Sequence, residues 1–358
     1  MNIIVHTGQP KTGSSTIQRF LYHNQNVLES MGYYYHIFNE DIQDDPQRGL
    51  FWGASSDPYS HSDLILELET NLFKVKTYIE KLKANATAKK LHTIIISSEL
   101  LSSFLTQEQI KVFLDILDSP VTAIAYIKRP DLYVESMWQQ RYFLNYNSFN
   151  EYLEERSSPD LYEKFFYWKN NVDQFILTPF EKRYFQEGLE KHFLKSIGIE
   201  DDIEFNFDYV SDEDDWGQNK GLLPEALNFV MLNRDLIKQY SDRHILHRFI
   251  NRNLGALFEK QHGENYNFLT YQQRLDILKI HEPILKKINN DFFDSSNELF
   301  ELPQPYSGSA SEQINPKTVI RALMHIGVKQ DHAIQTLSQK VEELEKNIED
   351  LALLLMKK

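Results

Sequence analysis

The chain has no cysteine among its 358 residues. Disulfides, thiolate metal sites and a cysteine nucleophile are therefore excluded. No apolar run approaches the ~20 residues that a membrane span requires. The first residues show no basic segment leading into a long apolar stretch, so a secretory signal is not expected, and a cytoplasmic protein without an integral membrane segment is the simplest reading. Positive charge is also short: 38 Lys and Arg stand against 52 Asp and Glu, a formal net charge of −14. That balance argues against a nucleic-acid partner, which would need cations against phosphates. The acid is partly gathered in runs such as Glu200-Asp201-Asp202 and Asp212 to Asp215, which read as solvated loops and not as metal sites.

What is present is an alternation of short apolar runs and helical patterns. Asn2 to His6 reads as a buried parallel strand. Ile17, Phe20, Leu21 and Leu28 then recur at helical spacing, with Gly32 as a C-terminal cap. A long helix is expected over about 62–85, a second strand over His92 to Ser97, and a helix after Thr106, whose spacing to Gln109 spells a capping box. Val121 to Ile127 gives a third strand, Pro130 opens a helix, and Gln174 to Thr178 gives a fourth strand before a helix around 186–196. Strands alternating with helices predict an α/β fold with a parallel β-sheet flanked by helices.

From about residue 222 the pattern is mainly helical, and Pro303, Pro305 and the Ser307 to Ser311 stretch read as a linker. The expected organisation is one domain over 1–300, a linker over 301–314 and a C-terminal helical segment over 315–358. Within that segment Ile334, Leu337, Val341, Leu344, Ile348, Leu351 and Leu355 alternate spacings of three and four. β-Branched residues at a and Leu at d predict a coiled coil over about 331–356 and a homo-oligomer, a dimer by preference. The 23 Phe and 19 Tyr suit an aromatic core or, alternatively, rings that stack on a sugar.

The candidate site begins in the loop Gly8-Gln9-Pro10-Lys11-Thr12-Gly13-Ser14-Ser15-Thr16, between the first strand and the first helix. At such a junction unpaired N–H groups and the positive end of the helix converge. Gly8 and Gly13 let the backbone curl closely around an anion, Lys11 adds a full charge, and Ser14, Ser15 and Thr16 add hydroxyl donors. A strict nucleoside-triphosphate loop is absent, because Lys11 precedes Gly13 instead of following it. A second anchor follows the third strand: Arg129 at its carboxyl end, where ligands of open α/β sheets bind, and Ser136 seven residues on.

The loop resembles the 5'-phosphosulfate loop of sulfotransferases that use 3'-phosphoadenylyl sulfate (PAPS), and Arg129 with Ser136 resembles their 3'-phosphate site. The likeness covers roughly residues 1–240, including a looser form of a late Asn-x-Ser-Leu segment at Asn219-Lys220-Gly221-Leu222, where Gly221 stands for the Ser. The resemblance implies a P-loop NTPase-like sulfotransferase fold, PAPS as donor, no metal, and transfer of a sulfuryl group to a hydroxyl or amine of an acceptor such as a glycan or glycolipid precursor. It assigns Lys11 to the leaving 5'-phosphate, the Thr12 to Ser15 backbone to the same group, and Arg129 and Ser136 to the 3'-phosphate. The general base is expected at Glu99, at the end of the second strand, with His61 and His36 as alternatives. The competing readings are a P-loop phosphotransferase or ATPase, in which Ile94 to Glu99 serves Mg²⁺, and a non-catalytic nucleotide-binding scaffold that assembles through its coiled coil.

Overall fold

The computed structural model describes residues 1–38, 60–140, 146, 148–156, 160–199, 204–207, 267–293 and 298–306, together with the isolated helical positions 324, 327, 328, 335 and 340. The chain divides into two compact units, Met1–Gly221 with Leu269–Gly308, and Leu222–Phe268 with Ser309–Lys358. Apart from positions 335 and 340 the coiled-coil stretch lies outside the described residues, as do the Asp212 to Asp215 run, Asn219 to Leu222 and most of the expected linker.

The first unit is built on a five-stranded, all-parallel sheet in the order β2-β3-β1-β4-β5. The strands are β1 (Asn2–His6), β2 (Tyr33–Tyr34), β3 (Thr93–Ser97), β4 (Val121–Ile127) and β5 (Gln174–Pro179). Helices α1 (Ser14–His23) and α2 (Gln25–Ser30) join β1 to β2, and α3 (Ser62–Leu66) and α4 (Leu72–Ala88) precede β3. Between β3 and β4 lie α5 (Leu100–Ser103) and α6 (Gln107–Leu117); between β4 and β5 lie α7 (Pro130–Gln140), α8 (Phe149–Arg156) and α9 (Asp160–Asn171). After β5 come α10 (Leu189–Ser196) and, beyond the second unit's first segment, α11 (Tyr271–Phe292).

Both faces of the sheet are covered, which is why its strands are nearly uniform apolar runs. Successive residues of one strand feed opposite sides: Ile3 and Val5 pack with Ile94, Ile96, Phe113 and Trp168, whereas Ile4 packs with Ile17, Phe20, Ile95 and Phe193. A third cluster joins Ala125, Ile127 and Leu177 to Phe165, Ile288 and Phe300, and so seats α9 and α11 against β4 and β5.

The expected strands are present, and Thr106 and Gln109 form the reciprocal capping box read from their spacing. The single helix expected over 62–85 is two. Asn71 stands in extended-side backbone geometry and its side chain accepts the Lys74 N–H at 3.0 Å, a new N-cap that starts α4 where the apolar stripe alone shows no break. The edge strand β2, two residues long, has no periodicity to read. It pairs with β3 through Tyr33 and Tyr34.

Candidate functional site

The strand order fixes where a site can form. From β1 the chain runs outward to β2, returns to β3 on one side of β1, then crosses to β4 on the other side. The order reverses at β1, and the crevice outside its carboxyl end is the switch point where open α/β sheets bind ligands. Three strand ends meet there. His6 is in register with Ser97 and Ile124, so the loop after β1, Glu99 just past β3 and Lys128 just past β4 arrive together.

The loop is fastened through its carbonyls and side chains. Thr7 N–H donates to the Ile124 carbonyl at 2.9 Å, and Ser98 N–H donates to the His6 carbonyl at 3.1 Å. Ser102 Oγ donates to the Gly8 carbonyl at 2.8 Å, and Thr12 Oγ1 donates to the Gln9 carbonyl at 2.6 Å. Gln9 Oε1 accepts the Lys128 N–H at 2.7 Å and ties the loop to the end of β4. Among the described residues none of these bonds uses the N–H groups of Lys11, Thr12 or Gly13. Lys11 (φ 69°) and Gly13 (φ 77°) both lie in the left-handed region. Such a bend turns successive N–H groups inward and forms an anion-binding concavity. Gly13 is also the N-cap of α1 and has no side chain to close it. Its φ favours glycine, and a Cβ there would also have to displace the Leu189 side chain, whose Cδ2 would stand 2.2 Å away.

Two lysines supply the charge. Burial lowers the Lys11 ammonium from its usual range to about 8, against an opposing pull from the Glu99 carboxylate. Burial also lowers Lys128 to about 8, helped by the Lys11 charge and opposed by Glu135 and Asp131. The two cations crowd each other: Lys128 Nζ lies 3.4 Å from the Lys11 carbonyl and donates to Ser136 Oγ at 2.8 Å. A desolvated pair of like charges at a bare helix N-terminus favours an anion that would restore both to full protonation. On the β3 side, Glu99 Oε2 accepts from Ser14 Oγ at 3.2 Å, which places a carboxylate directly on the loop. Ser15 and Thr16 follow in the first turn of α1, and Gly8 and Pro10 shape the start of the loop.

The second anchor differs from its expected form. The Arg129 guanidinium grips the buried Asp131 carboxylate through Nε (2.7 Å) and Nη2 (3.0 Å), and its Nη1 donates to the Glu301 carbonyl. It is Lys128, not Arg129, that meets Ser136. The reading from sequence missed Lys128 and Gln9. The only signal for Lys128 was that it is the first cation past the strand, and the adjacent arginine had the stronger chemical case.

His61 also takes another role. It is 1% exposed, its Nδ1 accepts the Ser97 N–H at 3.2 Å, and its Nε2–H donates to the His36 carbonyl at 3.1 Å. Both ring nitrogens are committed, and burial lowers its pKa to about 4, so the imidazole is a neutral strut between β3 and the segment after β2. His36 stacks on Tyr34 (ring centroids 5.7 Å) and meets Phe38 edge-on. Of the proposed bases, Glu99 is the one brought to the loop. His6 lies beneath it, fully buried and lowered to about 3 by that burial, with Nδ1 on Ser97 Oγ at 2.8 Å and Nε2 without a hydrogen-bond partner among the described residues. A Cβ on Gly8 would stand 3.1 Å from that Nε2.

Among the described residues no group of three or more His, Asp or Glu is arranged to hold a metal, and no helix is long and apolar enough to cross a membrane. No protein-family model, curated protein or solved structure matches the chain.

Proposed function

We propose that the chain is a PAPS-dependent sulfotransferase with a P-loop-like sulfotransferase fold, acting on a hydroxyl (or amine) of a carbohydrate or glycolipid precursor. One observation carries the reading: two desolvated lysines and the unused N–H groups of a left-handed loop converge at the switch point, with a carboxylate on the same loop. A bisphosphorylated nucleotide fits this donor set. The N–H groups of Lys11 to Gly13, the first turn of α1 and the Lys11 ammonium suit a 5'-phosphate; Lys128 and Ser136 suit a second phosphate. When bound, PAPS supplies a sulfuryl group on an activated phosphate oxygen.

The residues then divide the work. Sulfuryl transfer resembles phosphoryl transfer in its loose transition state, so positioning and charge stabilisation dominate. Lys11 neutralises the charge that builds on the departing phosphate oxygen. Glu99 takes the proton that the acceptor hydroxyl gives up as its oxygen bonds to sulfur. Lys128 and Ser136 hold the far phosphate and set the register of the near one. The test is an acceptor screen with radiolabelled PAPS, with Lys11→Ala alongside. Transfer by the wild type and none by the variant supports the reading; PAPS that neither binds nor reacts removes it.

The Ser14–Glu99 contact favours a second reading. A hydroxyl on the first helical turn beside an acid at a strand end is the pair that holds Mg²⁺ in P-loop phosphotransferases. Magnesium-dependent turnover of ATP by the purified protein, without turnover of PAPS, would select it.

A further inference from the structure

The anchor after β4 sits beside a buried cluster of four charges. Asp131 and Glu135 lie on the first turns of α7, the helix that carries Ser136, and are buried. Arg129 takes Asp131 from one side. From the other comes Arg274 on α11, itself 3% exposed: Nη1 reaches Asp131 Oδ2 at 2.9 Å and Nη2 reaches Glu135 Oε2 at 2.6 Å. Arg274 Nε donates to the Tyr306 hydroxyl at 2.7 Å, and Tyr306 donates in turn to the Leu269 carbonyl at 2.5 Å. Leu269 N–H closes the ring on Glu135 Oε1 at 3.3 Å. Two arginines against two carboxylates leave the cluster neutral, and every donor nitrogen of Arg274 has a partner.

We propose that Arg274 is a positioning residue for the Lys128–Ser136 anion subsite, which it keeps cationic by neutralising the Asp131 and Glu135 carboxylates on the helix that carries Ser136. The proposal rests on the reading of that subsite as a phosphate site. Without Arg274, Glu135 would face Lys128 unbalanced, and the subsite would present one cation and one excess anion to an incoming phosphate. The charged groups that act on the Lys128 ammonium are Lys11 from the β1 loop and Asp131 and Glu135 from α7, and the Lys128 carbonyl accepts from the Tyr162 hydroxyl of α9 at 3.0 Å. The α11 arm, whose sequence carried no motif, thereby becomes part of the site through charge.

A purely structural ion pair and a charge-setting one respond differently to loss of either partner. Arg274→Gln and Glu135→Gln break the same contact, but the first leaves an extra negative charge near Lys128 and the second an extra positive one. At an effective dielectric of about 20, a unit charge about 12 Å away moves a titration by about one pH unit. The ammonium of Lys128 can be followed by NMR in lysine-labelled protein, its resonance assigned with Lys128→Met. Arg274→Gln should raise the Lys128 midpoint, Glu135→Gln should lower it, and the double variant, which removes no net charge, should return it to the wild-type value. Arg274→Lys should also hold it there. Adenosine 3',5'-bisphosphate (PAP), the desulfated coproduct, should bind several-fold more weakly to Arg274→Gln and no more weakly to Glu135→Gln. Removing one partner of a buried pair can unfold a protein; if Arg274→Gln does not fold, Glu135→Gln and the double variant decide the question. Midpoints that move the same way in both single variants, or that do not move, overturn the proposal. The titration needs no ligand, so it separates failure of this inference from failure of PAP to bind.

Discussion

Under the proposed function the depressed lysines would make nucleotide binding a proton-uptake reaction, and its size follows from the structure. Lys11 and Lys128 each titrate near 8 in the free protein. A phosphate placed against them favours the charged forms and returns them toward their ordinary range near 10. The sign is therefore fixed: the cations that attract the ligand are present below pH 8 and vanish as the pH rises through it. The second ionisation of a phosphate lies near 6 and is complete over this window, so it does not reverse the trend. Near pH 8 each lysine is about half charged, and recharging both takes up about one proton; near pH 7 the uptake falls to about 0.2. Between about pH 7 and pH 9 the charged fraction of each lysine drops about tenfold, so affinity should fall about 100-fold if both are engaged and about tenfold if one is. Isothermal titration calorimetry of PAP in buffers of different ionisation enthalpy reads both quantities. An affinity flat across that range, with a heat independent of buffer, would refute the claim that these lysines hold the nucleotide.

Other consequences follow from single contacts. Glu99→Gln keeps the Ser14 contact and the shape of the site but cannot accept a proton. Turnover should fall about 10²–10⁴-fold while PAP still binds, and a variant that transfers at the normal rate would strike Glu99 from the scheme. His61→Phe removes two hydrogen bonds from a buried strut, so thermal unfolding should shift downward by the equivalent of about 1–3 kcal/mol, while the pH profile of transfer keeps its shape. Gly13→Ala meets Leu189 at 2.2 Å and a positive φ, so both stability and PAP binding should drop; Gly188→Ala, at φ 101° but outside the loop, should lower stability with a smaller loss of PAP binding.

Much of the frame was legible because it is local. Asn2 to His6 and Val121 to Ile127 are apolar runs whose bounds the structure repeats, and the Thr106–Gln109 capping box is a three-residue relation. The loop between β1 and α1 was legible for the same reason: its glycines, its lysine and the helix behind it are contiguous. What escaped depends on partners far along the chain. Arg129 bonds Asp131, two residues on, but that carboxylate is also held by Arg274, 143 residues away. His61 is a reasonable base until the Ser97 N–H, 36 residues on, occupies its Nδ1. The break between α3 and α4 turns on one asparagine side chain that competes with the helix, a choice the apolar stripe does not encode.

The most direct measurement is the crystal structure of the protein with PAP. The 5'-phosphate should lie against the Lys11 ammonium and the N–H groups that end at Gly13, and the 3'-phosphate against Lys128 and Ser136. A nucleotide seated at any other strand end, with the Lys11 loop and Lys128 untouched by it, would contradict the account at its root.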